Sequence, residues 1–514
     1  MKNYEFLFEL TSSLSKAEKR YFKLYSSLQT GDKNYLKVFD EVENQSTYNE
    51  AKIKAKFKGN KMINNFSVTK AYIIDQILKS LRNFNTKGSI DVQLQNELLN
   101  IEILYQKGII PLAYKHLKKA LKLATEHEKF GHVISILNWE RTMSQISDFP
   151  PRSEKEIALE EFEVIAKQKV MIEYQSIRNK INNFKKKYGA IKTEKELDEF
   201  NQITNSPLLE DFSLANSNRA QFYFHMINAI RYSFLGDHEL AYQHATETLK
   251  NNHKAIGEME YLDGFLNYIS VASFSGKIEE AVNTYLATQG KLKEMTIGQF
   301  RPVKNQLFYY ESNYMLLNLL YLKRVDEAKV FLANAEKGLL SFGDKLSTEH
   351  KMVILDVLFF AYFSMGNFRS ALQQINILMN DYGPQLRSDV VYGSKIYNLI
   401  IHFEMGNHDL LTYLLASAKR FFNKHSQYPE FEKDLLAFLK KQIVTTDKEE
   451  LKANYEEFHG NVQEHLNRSK KKYQDGIEIH FTMMWLASKI QNKLMYECFD
   501  DIPQSETTPL NIIN

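Results

Sequence analysis

The sequence holds a single cysteine, Cys498, among 514 residues, which excludes an intrachain disulfide and a cysteine-rich zinc site. That scarcity fits a reducing cytoplasm. Proline and glycine are also few, at 9 and 20 residues, against usual shares of about 5% and 7%. No stretch approaches the roughly 18 apolar residues that a membrane-crossing helix needs, so membrane insertion is not expected. The opening MKNYEFLFELTSS carries Glu5 and Glu9 where a secretory leader requires unbroken apolar sequence, and export is not expected either.

Familiar catalytic signatures are missing too. Neither G-x-G-x-x-G nor G-x-x-x-x-G-K-[ST] is present to cradle a phosphate, and there is no G-x-S-x-G elbow and no H-E-x-x-H pair. His238 and His244, like His402 and His408, stand six residues apart, which sets them on different faces of a helix rather than at ligand spacing. Cys498 sits in MYECFDD with no base linked to it. The sequence therefore nominates no catalytic residue, no cofactor and no metal ligand, and a non-enzymatic role is expected.

What remains is a helical vocabulary. Leu, Lys, Glu, Ala and Gln are abundant, the residues that lose least side-chain entropy in a helix, while strand-like alternation of Val, Ile and Thr is rare. The fold class expected is all-α. The Asn-, Lys- and Ile-rich usage leads one to expect an AT-rich bacterial genome. Charge is uneven: residues 1–90 hold 16 Lys+Arg and 9 Asp+Glu, net +7, so the other 424 residues sum to −4 of the total +3.

A pattern recurs along the chain. FSMGNFRSALQQINILM, with its bend at Gly366, has relatives whose bends fall at Gly108, Gly236, Gly276 and Gly406, with Lys323 in the same role. Five residues on lie Ala113, Ala241, Ala281, Ala328, Ala371 and Leu411; seven before lie Ile101, Ala229, Ile269, Leu316, Phe359 and Leu399. Glycine ends a first helix in the left-handed region, and a small residue on the second lets the two approach. One such hairpin cannot bury its own apolar face, so neighbours must stack on it.

These anchors, over about residues 98–125 and 216–425, resemble the tetratricopeptide repeat, which likewise has glycine at the bend, alanine five later and a small residue near twelve. The closing proline and the early tryptophan of that family are absent, and the spacings are 40, 47, 43 and 40, where the family has about 34. The resemblance implies a right-handed superhelical α-solenoid of antiparallel helix pairs whose first helices line a concave groove.

The organisation expected is a basic helical head (1–90), a repeat array (91–428), a helical C-terminal cap (429–498) and a tail (499–514). Within the array, residues 153–188 read as one long helix between Pro150-Pro151 and Gly189. Its Val170, Tyr174, Ile177, Ile181, Phe184 and Tyr188 step by 4, 3, 4, 3 and 4. That seam packs along neighbouring repeats or pairs with a second copy.

In the head, a helix follows an N-cap at Ser13 or Ser15, then come two short helices, a bend at Gly59 and a long helix from Phe66. Ala55 and Gly59 have helix-turn-helix spacing, although Asn64 and Asn65 fall where core residues are wanted. The head either caps the first repeat or docks a partner, or else it touches nucleic acid through Lys52, Lys54, Lys56, Lys58 and Lys61. In the groove, the residues expected to meet a protein or peptide are Asn228, Arg231, Tyr232, Asn267, Tyr268, Lys304, Asn305, Tyr309, Asn313, Lys351, Tyr392, Lys395 and Asn398. Amides pair with a peptide backbone, cations with carboxylates, and tyrosines supply area at low entropy cost. Two functions follow: a cytoplasmic scaffold or adaptor, or a regulator with a nucleic-acid-binding head and a peptide-sensing array.

Overall fold

A computed structural model describes residues 6–28, 33–84, 88–146, 152–189, 191, 193–251, 253–294, 301–343, 346–382, 388–425, 429–469 and 477–501. Among these, every regular element is helical and no strand occurs. The chain divides into two units, Met1–Val164 and Ile165–Asn514. The Pro150-Pro151 step and the tail beyond Asp501 lie outside the described residues.

In the second unit the repeat is a series of helical hairpins. First helices Asn218–Phe234, Glu258–Phe274, Thr348–Ser364 and Ser388–Glu404 each have 17 residues. Each is followed by its own second helix, beginning at His238, Ile278, Phe368 and His408. Ile90–Gln106 and Ile110–Glu126 make the same kind of pair in the first unit. Every anticipated bend is left-handed: φ is 70° at Gly108, 80° at Gly236, 75° at Gly276, 76° at Gly366, 68° at Gly406, and 57° even at Lys323.

One hydrogen-bond pattern closes them all. The residue after the bend donates to a carbonyl five back, as in Asp237 to Tyr232 (2.9 Å), Lys277 to Ala272 (2.9 Å), Arg324 to Leu319 (2.8 Å) and Asn367 to Tyr362 (2.8 Å). This Schellman closure satisfies carbonyls that a helix end leaves bare. Five residues beyond the bends, Ala113, Ala241, Ala281, Ala328, Ala371 and Leu411 are all fully buried. Seven residues before the bends, Ile101, Ala229, Ile269, Leu316, Phe359 and Leu399 are buried too, so both arms of each hairpin turn this position to the interior.

The hairpin that turns at Lys323 differs. Its first arm is a longer stretch, Arg301–Tyr310 and Leu316–Tyr321 joined by a π-helical turn at Glu311–Met315. Tyr310 and Tyr314 stack across that turn with ring centroids 5.0 Å apart. On the second arm, a Cβ at Gly338 would stand 1.9 Å from the Phe308 ring, so only glycine lets these helices meet so closely. A single apolar cluster runs from Ala229 through the hairpins to Phe499. The C-terminal helices Pro429–Val444, Lys448–Ser469 and Ile477–Gln491 contribute to it, with Trp485 buried and donating Nε1–H to Glu404 at 2.7 Å.

Glu154–Tyr188 is one uninterrupted helix of 35 residues. Ser153 and Glu156 form a reciprocal capping box at its start, and Gly189, at φ 74°, ends it. Its seam is spent within the chain. Tyr174, Ile177, Ile181 and Phe184 are buried, Tyr174 donates its hydroxyl to the Leu208 carbonyl at 2.8 Å, and Phe184 packs on Phe200 and Phe234. Four of the six seam side chains therefore pack within the chain, as the reading in which the seam lies along neighbouring helices expects.

In the head, Ser15 is the N-cap, accepting from Glu18 N while Glu18 accepts from Ser15 N. Helices Lys16–Ser27, Asn34–Glu43, Glu50–Lys56 and Phe66–Phe84 surround a core of Leu7, Phe22, Phe39, Val42, Ile53 and Ile73 among others. A four-residue helix, Lys61–Asn64, follows the Gly59 bend, and the chain breaks at Asn65 before the long helix. Asn64 and Asn65 are exposed and anchor nothing in the core.

Candidate functional site

The second unit contains a cavity of about 640 Å³, within the usual range for ligand pockets of about 300–1,000 Å³. One wall is the C-terminal half of the long helix, which contributes Arg178, Asn182, Lys185 and Lys186. The facing wall comes from three successive first helices: Asp263, Asn267 and Ser270; Asn305, Gln306 and Tyr309; and His350. Phe234, Val271, Phe274 and Val353 add apolar surface.

Arg178 Nη2 lies 2.5 Å from Asp263 Oδ2, while Gln306 Nε2 donates to Asp263 Oδ1 at 3.1 Å. Burial works to lower the Arg178 pKa, but Asp263 and Tyr223 outweigh it and raise the value overall, so the guanidinium stays charged. This latch ties the long helix to two first helices. Asn267 gives an Nδ2 hydrogen to the Met226 carbonyl at 3.3 Å, which fixes its amide and leaves Oδ1 as an acceptor. The Tyr309 ring stacks on His350 with centroids 4.0 Å apart, and Asn313 Nδ2 donates to the Tyr309 hydroxyl at 3.2 Å. Burial, joined by the positive charges of Lys185 and Lys186 and opposed by Glu349, holds His350 below its ordinary range. A neutral imidazole, fixed amides, a charge-balanced ion pair and an apolar floor make a site suited to grip and orient a ligand by hydrogen bonds.

Of the thirteen residues expected in a groove, Asn267, Asn305 and Tyr309 line this cavity. Others are interior instead. Asn228 is buried and donates to the Leu209 carbonyl at 3.0 Å. Tyr268 donates to Glu280, and Tyr392 to Glu432. Asn313 and Asn398 are buried as well. These five hold the fold together, and a partner cannot reach them, which corrects their assignment to a contact surface. Arg231 pairs with Glu210 at 2.7 Å, Tyr232 stacks on His244, and Lys395 lies over the Phe421 ring. Lys304 is exposed and Lys351 is half-buried.

Sequence reasoning missed the long helix as a wall. The signal was there: Arg178, Asn182 and Lys185 step by 4 and 3, a polar stripe beside the apolar seam.

In the head, Lys54 pairs with Glu50 at 2.7 Å, and Lys56 with Glu41. Lys52, Lys58 and Lys61 are exposed and make no ion pair among the described residues. No three His, Cys, Asp or Glu side chains among the described residues are grouped as a metal ion would require.

No family model matches the chain, and neither a curated protein nor a solved structure proves similar to it. The site must be read from its own chemistry.

Proposed function

We propose that residues 165–514 form a non-catalytic binding module that holds a peptide, or an extended segment of another protein, in the cavity between the long helix and the first helices. In this reading the hairpins wind as a right-handed, tetratricopeptide-like array with the cavity on its concave side, and the protein works as a scaffold or adaptor in the cytoplasm. The observation that carries the proposal is the convergence of Asn182, Asn267, Asn305 and Gln306, amides from three different helices, on one partly apolar cavity. An amide offers donor and acceptor together, which is what a peptide backbone presents in return. Recurring first helices place such groups at regular intervals, as an extended ligand needs.

The test is affinity capture with the full chain, wild type and N182A/N267A, followed by mass spectrometry and by titration of the recovered partner. A stoichiometric partner that binds the double variant at least 10-fold more weakly, with helicity unchanged, is the expected result. The same partner recovered at the same affinity from the variant rejects the cavity as its site.

A further inference from the structure

The long helix Glu154–Tyr188 carries apolar residues on more than one face. Tyr174, Ile177, Ile181 and Phe184 of the seam are buried, and so are Ile157, Val164 and Met171 nearer its start. Phe162, Ile165, Lys169 and Ile172 form another stripe, stepping by 3, 4 and 3 in a heptad register of their own, with Leu159 and Ala166 along its edge. Leu159, Phe162, Ile165 and Ile172 are 45–71% exposed, and Ala166 is exposed too. Four large apolar side chains left to solvent within about four turns of one helix mark an interaction surface. The one charged member of the stripe, Lys169, pairs with Glu173 a turn further on at 4.0 Å.

Charge along the helix points to what covers the stripe. On the N-terminal side of Lys167, residues 154–166 hold five glutamates and one lysine, net −4. On its C-terminal side, residues 168–180 hold three cations and one glutamate, net +2. Ion-pair partners within the chain, Arg141, Arg152 and Glu140 for the first stretch and Asp263 for the second, change these to −3 and +1. A second copy lying parallel would set the acidic stretch on itself. Lying antiparallel, it sets each stretch against the opposite sign, and the one patch is then its own complement.

We propose that this face pairs with the same face of a second copy of the chain, antiparallel about a two-fold axis near Lys167. In that register Phe162 meets Ile172 of the second copy, Ile165 meets the aliphatic stem of Lys169, and Ala166 comes close to its own counterpart. The stripe ends before Arg178, where the cavity wall begins, so the pairing is independent of any occupant of the cavity.

Sedimentation equilibrium of the full chain, up to 100 µM, should give twice the monomer mass. F162E/I172E should weaken the dimer by about 100-fold or more, because each copy would bury two unpaired carboxylates. Its helicity should be unchanged, since both side chains are exposed in the single chain. Cysteine cross-linking then reads the orientation, with Cys498 buried and out of reach of a short bismaleimide. A166C should link to its counterpart, whereas L159C should not, because its two copies would stand about 24 Å apart along the helix axis. A monomer at 100 µM overturns the proposal. So does a dimer that F162E/I172E leaves intact, or L159C linking as efficiently as A166C, the mark of a parallel pair.

Discussion

Eleven buried apolar side chains between Leu7 and Ile77 make up the core of the head, a closed set. From Ala229 to Phe499 a single cluster passes through hairpin after hairpin. A closed core leaves charge and amides outside, as at Lys58 and Asn64. A propagating core covers each first helix on two sides, by its own partner and by the neighbouring pair. Met352 to Ser364 are buried without interruption, Asp356 included. Some polar groups caught inside pair with one another: Asn318 donates to Ser273 at 2.8 Å, and Ser270 to the Tyr314 hydroxyl at 3.0 Å.

The hardest blow to this contrast is Phe481→Ala. Phe481 touches Phe359, Phe363 and Tyr397, and its loss should cost about 3–5 kcal/mol. If the core is continuous, hydrogen exchange should accelerate in Thr348–Ser364 as well as in Ile477–Gln491. Acceleration confined to the second segment would show that the cluster is not one cooperative body.

Acid should separate the regions next. His225 and His244 share an Nδ1–Nδ1 contact of 3.0 Å. Burial, then His225, pushes His244 down to about 4 from 6.5, and burial lowers His225 as well. The unfolded chain therefore takes up these protons first, and stability drops as pH falls from about 6.5 towards 4, by on the order of 2 kcal/mol. Residues 1–90 contain no histidine. Their comparable group is Glu50, held at about 2 by Lys54 and Lys70, so its contribution persists until the pH falls below about 4.5. Exchange at pH 5 against pH 7, corrected for intrinsic rates, should show lost protection in 218–250 and none lost in 6–84. His244→Phe should shrink the difference.

The bends offer a smaller, signed test. Gly276→Ala should destabilise by about 1 kcal/mol, while Lys323→Gly should stabilise by a similar amount, because both positions are left-handed. Equal signs in urea melts would remove the claim that the six bends are equivalent. Smallest of all, Lys23→Ala in the head, which breaks exposed pairs with Asp40 and Glu43, should cost about 0.5 kcal/mol or less and nothing measurable at high salt.

These differences explain what the sequence made legible. The bends could be read because a left-handed residue and a small residue five later leave local marks, and spacing alone found Lys323. The long helix was legible from its caps and length. Which polar residues face a ligand was not, because Asn228 and Asn267 have the same composition and nearly the same place on successive first helices. The former meets the Leu209 carbonyl inside the protein, and the latter lines the cavity. What decides between them is which distant segment lies opposite, and spacing within a repeat does not encode that.

The wide turn at Glu311–Met315 has a consequence for how this chain can change length. Elsewhere in these helices, losing one residue would swing every following side chain by about 100° and turn the buried face outward. A turn closed by an i→i+5 bond holds one residue more than an α turn, so a deletion there would let ordinary winding resume with both flanks still facing as they do now.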